Sequence, residues 1–314
     1  MQTKNLLQIF LIISGILFIT ACEKVEDPFP VNIGQSIFYQ NTEYVVDKEF
    51  ELGNSTQLVE FLDQYSWTEE NCPDNRNERF VVLEEFTGHK CKFCPNGTRE
   101  ILRLDTIFKE KLIPVAIHAG SFASVNPPIA EKYTTDFKVK GGHGGEYLNT
   151  FGVSSYPSGL VSRVNGAQIF SDAQWEQQIN NITSTTPIAQ LLVTNYYEPN
   201  ERILRTQIDI EWLSSSSEEF NLQLYLAEDH IIDWQLDGNT DVEFYDHRHV
   251  LRKVVNGTWG KSIGQAVEGE TTSIQYVTTV NEEWKANDME SIAFIFNSSN
   301  YEIMQANAAY IHKP

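Results

Sequence analysis

Two kinds of hydrophobic pattern divide the chain. In residues 57–66, QLVEFLDQYS, Leu58, Phe61 and Leu62 form a stripe that suits a short helix, and the polar stretch TEENCPDNRNER follows as a loop. From Phe80 to Phe86 the residues favour a strand. Ile101, Leu102, Leu104, Ile107 and Phe108 then recur at helical spacing within Thr98–Lys111. Leu112–Ala119 is continuously apolar, as a parallel strand covered on both faces tends to be, so the three segments predict a βαβ unit. Gly120–Asn149, with Pro127-Pro128 and GGHGG at 141–145, is long and mixed and is expected to be inserted helix and loop. A strand over Ser158–Val164 turning at Asn165-Gly166, then a closing helix over Trp175–Ile182, complete this part. From Pro187 the period drops to two. Phe220, Leu222, Leu224 and Leu226 alternate with polar residues, Ile203–Ile210 do so less regularly, and Ile274–Val280, Ile292–Phe296 and Ile303–Ile311 continue the pattern. That predicts an antiparallel β-sandwich.

The N-terminus reads differently. Lys4, the apolar run Leu6–Ile19 and the small residues Thr20-Ala21 before Cys22 make a signal peptide, residues 1–21, because the run is short for a bilayer span and broken by Gln8, Ser14 and Gly15. Ile19-Thr20-Ala21-Cys22 resembles the bacterial lipobox, which implies lipid on Cys22. Two or three acyl chains would hold the protein to a membrane far more firmly than one. Residues 23 to about 40 carry charge and two prolines, as a tether would, within an extension spanning 22–79.

Composition narrows the options. The chain is 41% hydrophobic and 12% aromatic, enough for two cores, expected at 80–186 and 187–314. Lys and Arg total 23 against 43 Asp and Glu, a net charge of -20 that would repel nucleic acid. With Cys22 lipidated, only Cys72, Cys91 and Cys94 remain for thiol chemistry, so the fold is not a disulfide scaffold.

The informative segment is VVLEEFTGHKCKFCPNGTREI, residues 81–101. A strand delivers Cys91 to the mouth of a helix, whose unpaired N–H groups favour thiolate, and Lys90 and Lys92 add positive charge. Cys94, three residues on, is placed to resolve a mixed disulfide. Such a pair can also be a closed structural disulfide or half of a zinc site, but zinc needs two further ligands and no second pair exists, so the redox reading leads. Glu84 and Glu85 point to opposite faces of the strand, so only one is expected to be buried. We take it to be Glu85, a proton relay.

This segment resembles the thioredoxin fold, with Glu85 six residues before the first cysteine and Pro157 following FGVSSY. The resemblance implies a cis Pro157 beside the cysteines, presenting an extended substrate strand, with Tyr156 flanking that surface. Lys90 stands where thioredoxins usually have Trp. With the lipobox and EFYDHRHVLRKVVNGTWG, residues 80–314 resemble the outer-membrane-protein-28-related lipoproteins of Gram-negative bacteria. That implies a thioredoxin-like domain followed by an immunoglobulin-like β-sandwich, in the cell envelope, most naturally at the outer membrane.

Other candidates read more plainly. Cys72 is a spare thiol, His118 a satisfied structural histidine, and His143 lacks the glycine spacing of a phosphate loop. Asp246, His247 and His249 form the one cluster with ligand chemistry, since alternate strand residues share a face; polar residues at a sandwich edge explain them as well, and no metal or other cofactor is expected. Trp234, Tyr245 and Trp259 are read as core rather than as a partner-binding patch. Two functions follow from the sequence. One is a lipid-anchored thiol-disulfide oxidoreductase or isomerase acting on exported proteins, with Cys91 as nucleophile, Cys94 resolving, Glu85 relaying protons and Pro157 presenting substrate. The other is a non-catalytic lipoprotein whose sandwich binds a protein or glycan.

Overall fold

The structure is a computed structural model describing residues 36–39, 42–46, 68–71, 78–127 and 129–312. The signal peptide, Cys22, the 57–66 helix and Cys72 lie outside these residues. Seventeen strands are described: β1 Ser36–Tyr39, β2 Thr42–Val46, β3 Thr68–Asn71, β4 Val81–Thr87, β5 Leu112–His118, β6 Ser158–Val161, β7 Ile169–Phe170, β8 Ala189–Glu198, β9 Ile203–Trp212, β10 Ser216–Glu228, β11 Ile231–Asp237, β12 Thr240–His247, β13 Val250–Val254, β14 Lys261–Ala266, β15 Thr271–Thr279, β16 Met289–Asn297 and β17 Ile303–Tyr310. The principal helices are Cys94–Phe108, His143–Thr150 and Asp172–Thr183. Among the described residues no helix is long and apolar enough to cross a membrane.

Parallel β4 and β5 flank the Cys94–Phe108 helix, the βαβ unit that the pattern predicts. The helix starts four residues before the expected Thr98 because Pro95 fits the first turn, where no N–H is needed. The Asp172–Thr183 helix likewise begins before Trp175, where Ser171 and Gln174 form a capping box. β6 stops at Val161, short of the expected Val164, because Ser162 and Arg163 take positive φ and turn their side chains inward. Ser162 Oγ accepts a hydrogen bond from the Val82 amide, and Arg163 reaches Glu84.

Two sheets pack face to face. One is six-stranded, in the order β1-β2-β15-β9-β8-β3; the other is nine-stranded, running β17-β16-β10-β13-β5-β4-β6-β7, with β14 also on β10. Alternating residues of β8, β9 and β15 meet Phe220, Leu222, Leu224 and Leu226 of β10 between them. The opposite face of the nine-stranded sheet joins Tyr225, Ile292 and Phe294 to Val82, Phe86 and Val115 in a second core, and Val81 and Leu83 meet the helical residues Leu104, Trp175 and Ile179 in a third. Each fully buried aliphatic or aromatic side chain there contributes about 1.5–3 kcal/mol.

The nine-stranded sheet crosses the 186/187 boundary. β13 runs parallel to β5 through the Val250–Ala116 pair, and Ala116 N–H donates to the His249 carbonyl at 2.7 Å. Within the 22–79 extension, β2 lies parallel to β15 and β3 antiparallel to β8, extending the six-stranded sheet at both ends. A chain whose strands pair across both parts is a mixed α/β and antiparallel-β body.

Candidate functional site

At the end of β4 the chain turns through Gly88-His89-Lys90 into Cys91, where Cys91 N–H donates to Gly88 O at 2.9 Å and Lys90 N–H to Phe122 O at 3.0 Å. Gly88 is required there, since a Cβ would lie 2.5 Å from the Phe122 backbone. Cys91 and Cys94 are joined in a disulfide, with Cα atoms 5.4 Å apart, and are only 3% and 1% exposed. Between them Phe93 stands 53% exposed, with Lys92 Nζ 4.7 Å over its ring. Lys90 Nζ donates to Asn126 Oδ1 at 2.7 Å, so both lysines are engaged beside the pair.

Glu85 lies on the face of β4 that carries Val81 and Leu83, beneath the helix that begins at Cys94. It is fully enclosed, its Oε1 meets no hydrogen-bond partner among the described residues, and burial raises its carboxyl to about 8, with Asp172 adding to the effect. The helix approaches so closely that a Cβ on Gly97 would sit 2.3 Å from Glu85 Oε1 and 2.9 Å from Pro157 Cβ. Glu85 and Pro157 therefore meet at one helical glycine. The Tyr156–Pro157 bond is cis. Tyr156, half-buried, donates its hydroxyl to Ala119 O at 3.3 Å and sets its ring 5.5 Å from Phe122.

The expectation that only one of Glu84 and Glu85 is buried fails: both are. β4 is covered on two sides, and on the second Glu84 accepts two hydrogen bonds from Arg163, each 2.7 Å. The rings of Tyr147, Phe151, Phe294 and Phe296 surround that guanidinium at 5.1–5.5 Å. Arg163 and the Tyr225 hydroxyl, which donates to Glu84 Oε1 at 3.3 Å, make a second buried glutamate tolerable, and spacing gives no sign of either.

Sequence reasoning also missed what lies against the disulfide. β11 and β12 form a two-stranded sheet apart from the other two. Leu236 N–H donates to His89 O and Gly238 N–H to Lys92 O, both at 2.8 Å, while the Gln235 amide donates to Cys91 O at 3.2 Å. The Asp237-Gly238 turn between short strands was the available signal.

At the base of this hairpin His247 joins His118 and His89 around Phe137, with ring centroids 4.6, 4.9 and 5.7 Å from the phenyl. Burial lowers all three histidines, His247 to about 4. His118 Nδ1 and His89 Nδ1 meet no partner among the described residues, so His118 is structural but not fully satisfied. His249 does not share a face with His247: positive φ at His249 breaks the alternation, and its backbone N–H donates to Asp229. Among the described residues no group of three or more ligand side chains is placed to hold a metal. Trp259 packs with Tyr147 and Phe151 as core, whereas Trp234, half-buried, carries Lys132 Nζ 4.8 Å over its ring.

HBP35 of Porphyromonas gingivalis resembles this chain at a TM-score of 0.56 with 18% identity, over 76% of this chain and 77% of that one, a likeness of fold. A domain of the outer membrane lipoprotein Omp28 from the same organism aligns at 19% identity over 37% of this chain and 83% of its own, with a TM-score of 0.26. No curated protein matches the chain. The model of the family described as outer membrane protein Omp28 matches residues 145–313, more than half of the sequence. The chain therefore belongs to the Omp28 family of outer membrane proteins, and its place is the outer membrane of the cell envelope.

Proposed function

We propose that this protein is anchored by lipid on Cys22 and serves as a binding protein of the cell envelope. Its β-sheet part engages a protein or glycan partner, and residues 80–186, a thioredoxin-like domain, act as scaffold. The βαβ unit, the cysteine pair at a helix mouth and the cis Pro157 support the thioredoxin-like assignment. The observation that carries the binding reading is the disulfide, closed and at most 3% exposed, with the β11–β12 hairpin against its loop; as folded it staples rather than exchanges. On the hairpin Phe244 is 78% and Ile232 52% exposed, large apolar side chains of the kind that mark a contact surface. The test is affinity capture from outer-membrane extracts with the whole purified chain. Ile232→Ser with Phe244→Ser should lose the captured partner while the melting temperature holds. Equal capture by both proteins would remove the hairpin from the binding surface, and no reproducible partner would sink the reading.

One observation favours a second reading, a thiol-disulfide oxidoreductase acting on exported proteins. Glu85, uncharged at neutral pH and with its Oε1 meeting no partner among the described residues, suits a proton relay. In the reduced protein the Cys91 thiolate attacks a substrate disulfide and expels one substrate thiolate. Glu85, having passed its proton to that thiolate, takes the proton of Cys94, which then attacks Cys91 Sγ, closing the pair and expelling the second. The substrate is reduced and the pair oxidised, with Pro157 and Tyr156 flanking the substrate strand. Insulin-type reduction that is abolished by Cys91→Ser and trapped as a mixed disulfide by Cys94→Ser would establish this; no turnover in either direction would eliminate it.

A further inference from the structure

The β11–β12 hairpin is held in an unusual way. It pairs with neither large sheet, and its inner face offers little apolar area, since Gln235 and His247 are its buried residues. His247 packs on Phe137 at its base, and polar contacts fasten the rest. Asp237 pairs with Arg99 of the Cys94–Phe108 helix at 2.9 Å, and Asp241 pairs with Lys132 at 2.7 Å. The Tyr133 hydroxyl also donates to Asp241, and the Thr135 hydroxyl to Asp233. All of these anchors stand on the disulfide helix or on the 120–135 segment beside the disulfide loop. The loop itself is covered through its carbonyls, since His89, Cys91 and Lys92 each accept a hydrogen bond from residues 235–238.

A surface ion pair is weak, screened by salt and broken without disturbing a core. The apolar contacts that hold the two large sheets together are not. The element against the cysteine pair is thus the one most easily released from the body, and its release uncovers the loop that holds Cys91.

We propose that the β11–β12 hairpin is a displaceable gate on the Cys91–Cys94 disulfide, clasped shut by Asp233, Asp237 and Asp241. It deepens the redox reading, on which its biological use rests: the chain carries its own occupant on the face that a thiol-bearing partner must reach. An attacking thiolate forms a bond to one cysteine sulfur as the S–S bond breaks and the other sulfur leaves as thiolate, which requires in-line access. With the hairpin docked that access is closed; with the hairpin away it is open.

The test is the rate at which reduced glutathione opens the disulfide in the whole purified chain, read by alkylation and mass of the peptide carrying Cys91 and Cys94. Asp233→Asn, Asp237→Asn and Asp241→Asn together should raise the rate about tenfold, the equivalent of three weak surface contacts. Asp237→Asn alone should raise it about threefold, which keeps the test alive if the triple variant does not fold. Wild-type reduction should accelerate with added salt, and reduction of the triple variant should not. Hydrogen exchange at the Leu236 and Gly238 amides should quicken in the same variants. A folded triple variant reduced within twofold of wild type overturns the gate, whether or not those amides exchange faster. If the triple variant does not fold, an unchanged rate in Asp237→Asn does the same. Absence of insulin reduction removes the redox reading yet leaves these rates as they are, so the two failures are distinguishable.

Discussion

Replacing Glu85 by Gln should abolish a specific dependence of stability on pH. The carboxyl is completely buried and raised to about 8 from its ordinary 4.5, mainly by burial. An acid raised on folding stabilises the native state fully below its unfolded value, and that contribution is lost as pH rises through the folded value. The window is therefore about pH 4.5 to 8. At about 1.36 kcal/mol per pH unit, the gap corresponds to no more than roughly 5 kcal/mol, a large share of the stability of an ordinary domain. Gln has the shape of the protonated acid and does not titrate. Urea unfolding of both proteins at half-unit steps from pH 4 to 9, with the disulfide intact, gives the difference curve, in which every other titrating group cancels. The variant should gain on wild type steadily between pH 4.5 and 8 and run parallel outside that window. Parallel curves throughout would show that Glu85 titrates as an exposed acid, and would refute both its enclosure and its service as a relay.

Three further outcomes are expected. Arg163→Met should cost about 3–5 kcal/mol in denaturant unfolding by stranding a buried Glu84, and adding Glu84→Leu should recover most of it; a double variant no better than the single would contradict the pairing. Gly97→Ala, which in an exposed helix stabilises by about 1 kcal/mol, should destabilise by about 1–3 here because its Cβ meets Glu85 and the rigid Pro157, and a higher melting temperature would count against that contact. His247, lowered to about 4, stabilises the native state above its ordinary 6.5, and that contribution is lost as pH falls toward 4, so His247→Gln should flatten acid unfolding by roughly 3 kcal/mol; an unchanged acid limb would place the ring in solvent.

What the sequence revealed was local. β4, the cysteine pair and its helix, and β5 follow one another without interruption, so period and cap chemistry suffice to place them. The cis bond before Pro157 was legible only through resemblance, since an isolated Tyr-Pro is ordinarily trans. What stayed hidden depends on long-range pairing. Arg163 lies 79 residues from Glu84, and Gln235 lies 144 residues from Cys91. The sheet also passes from β5 to β13 through a single register pair, which no periodicity encodes. His247 and His249 parted because positive φ at His249 overrode strand alternation, a backbone choice that a β-rich reading does not anticipate.

The measurement that tests the account most directly is the equilibrium reduction potential of the Cys91–Cys94 pair in the whole chain. A scaffold stapled by a buried disulfide predicts a potential below about -300 mV, where the bond resists the glutathione pool. A value between about -270 and -120 mV, the range of thiol-disulfide catalysts, would contradict the scaffold and make the pair the working part of the protein.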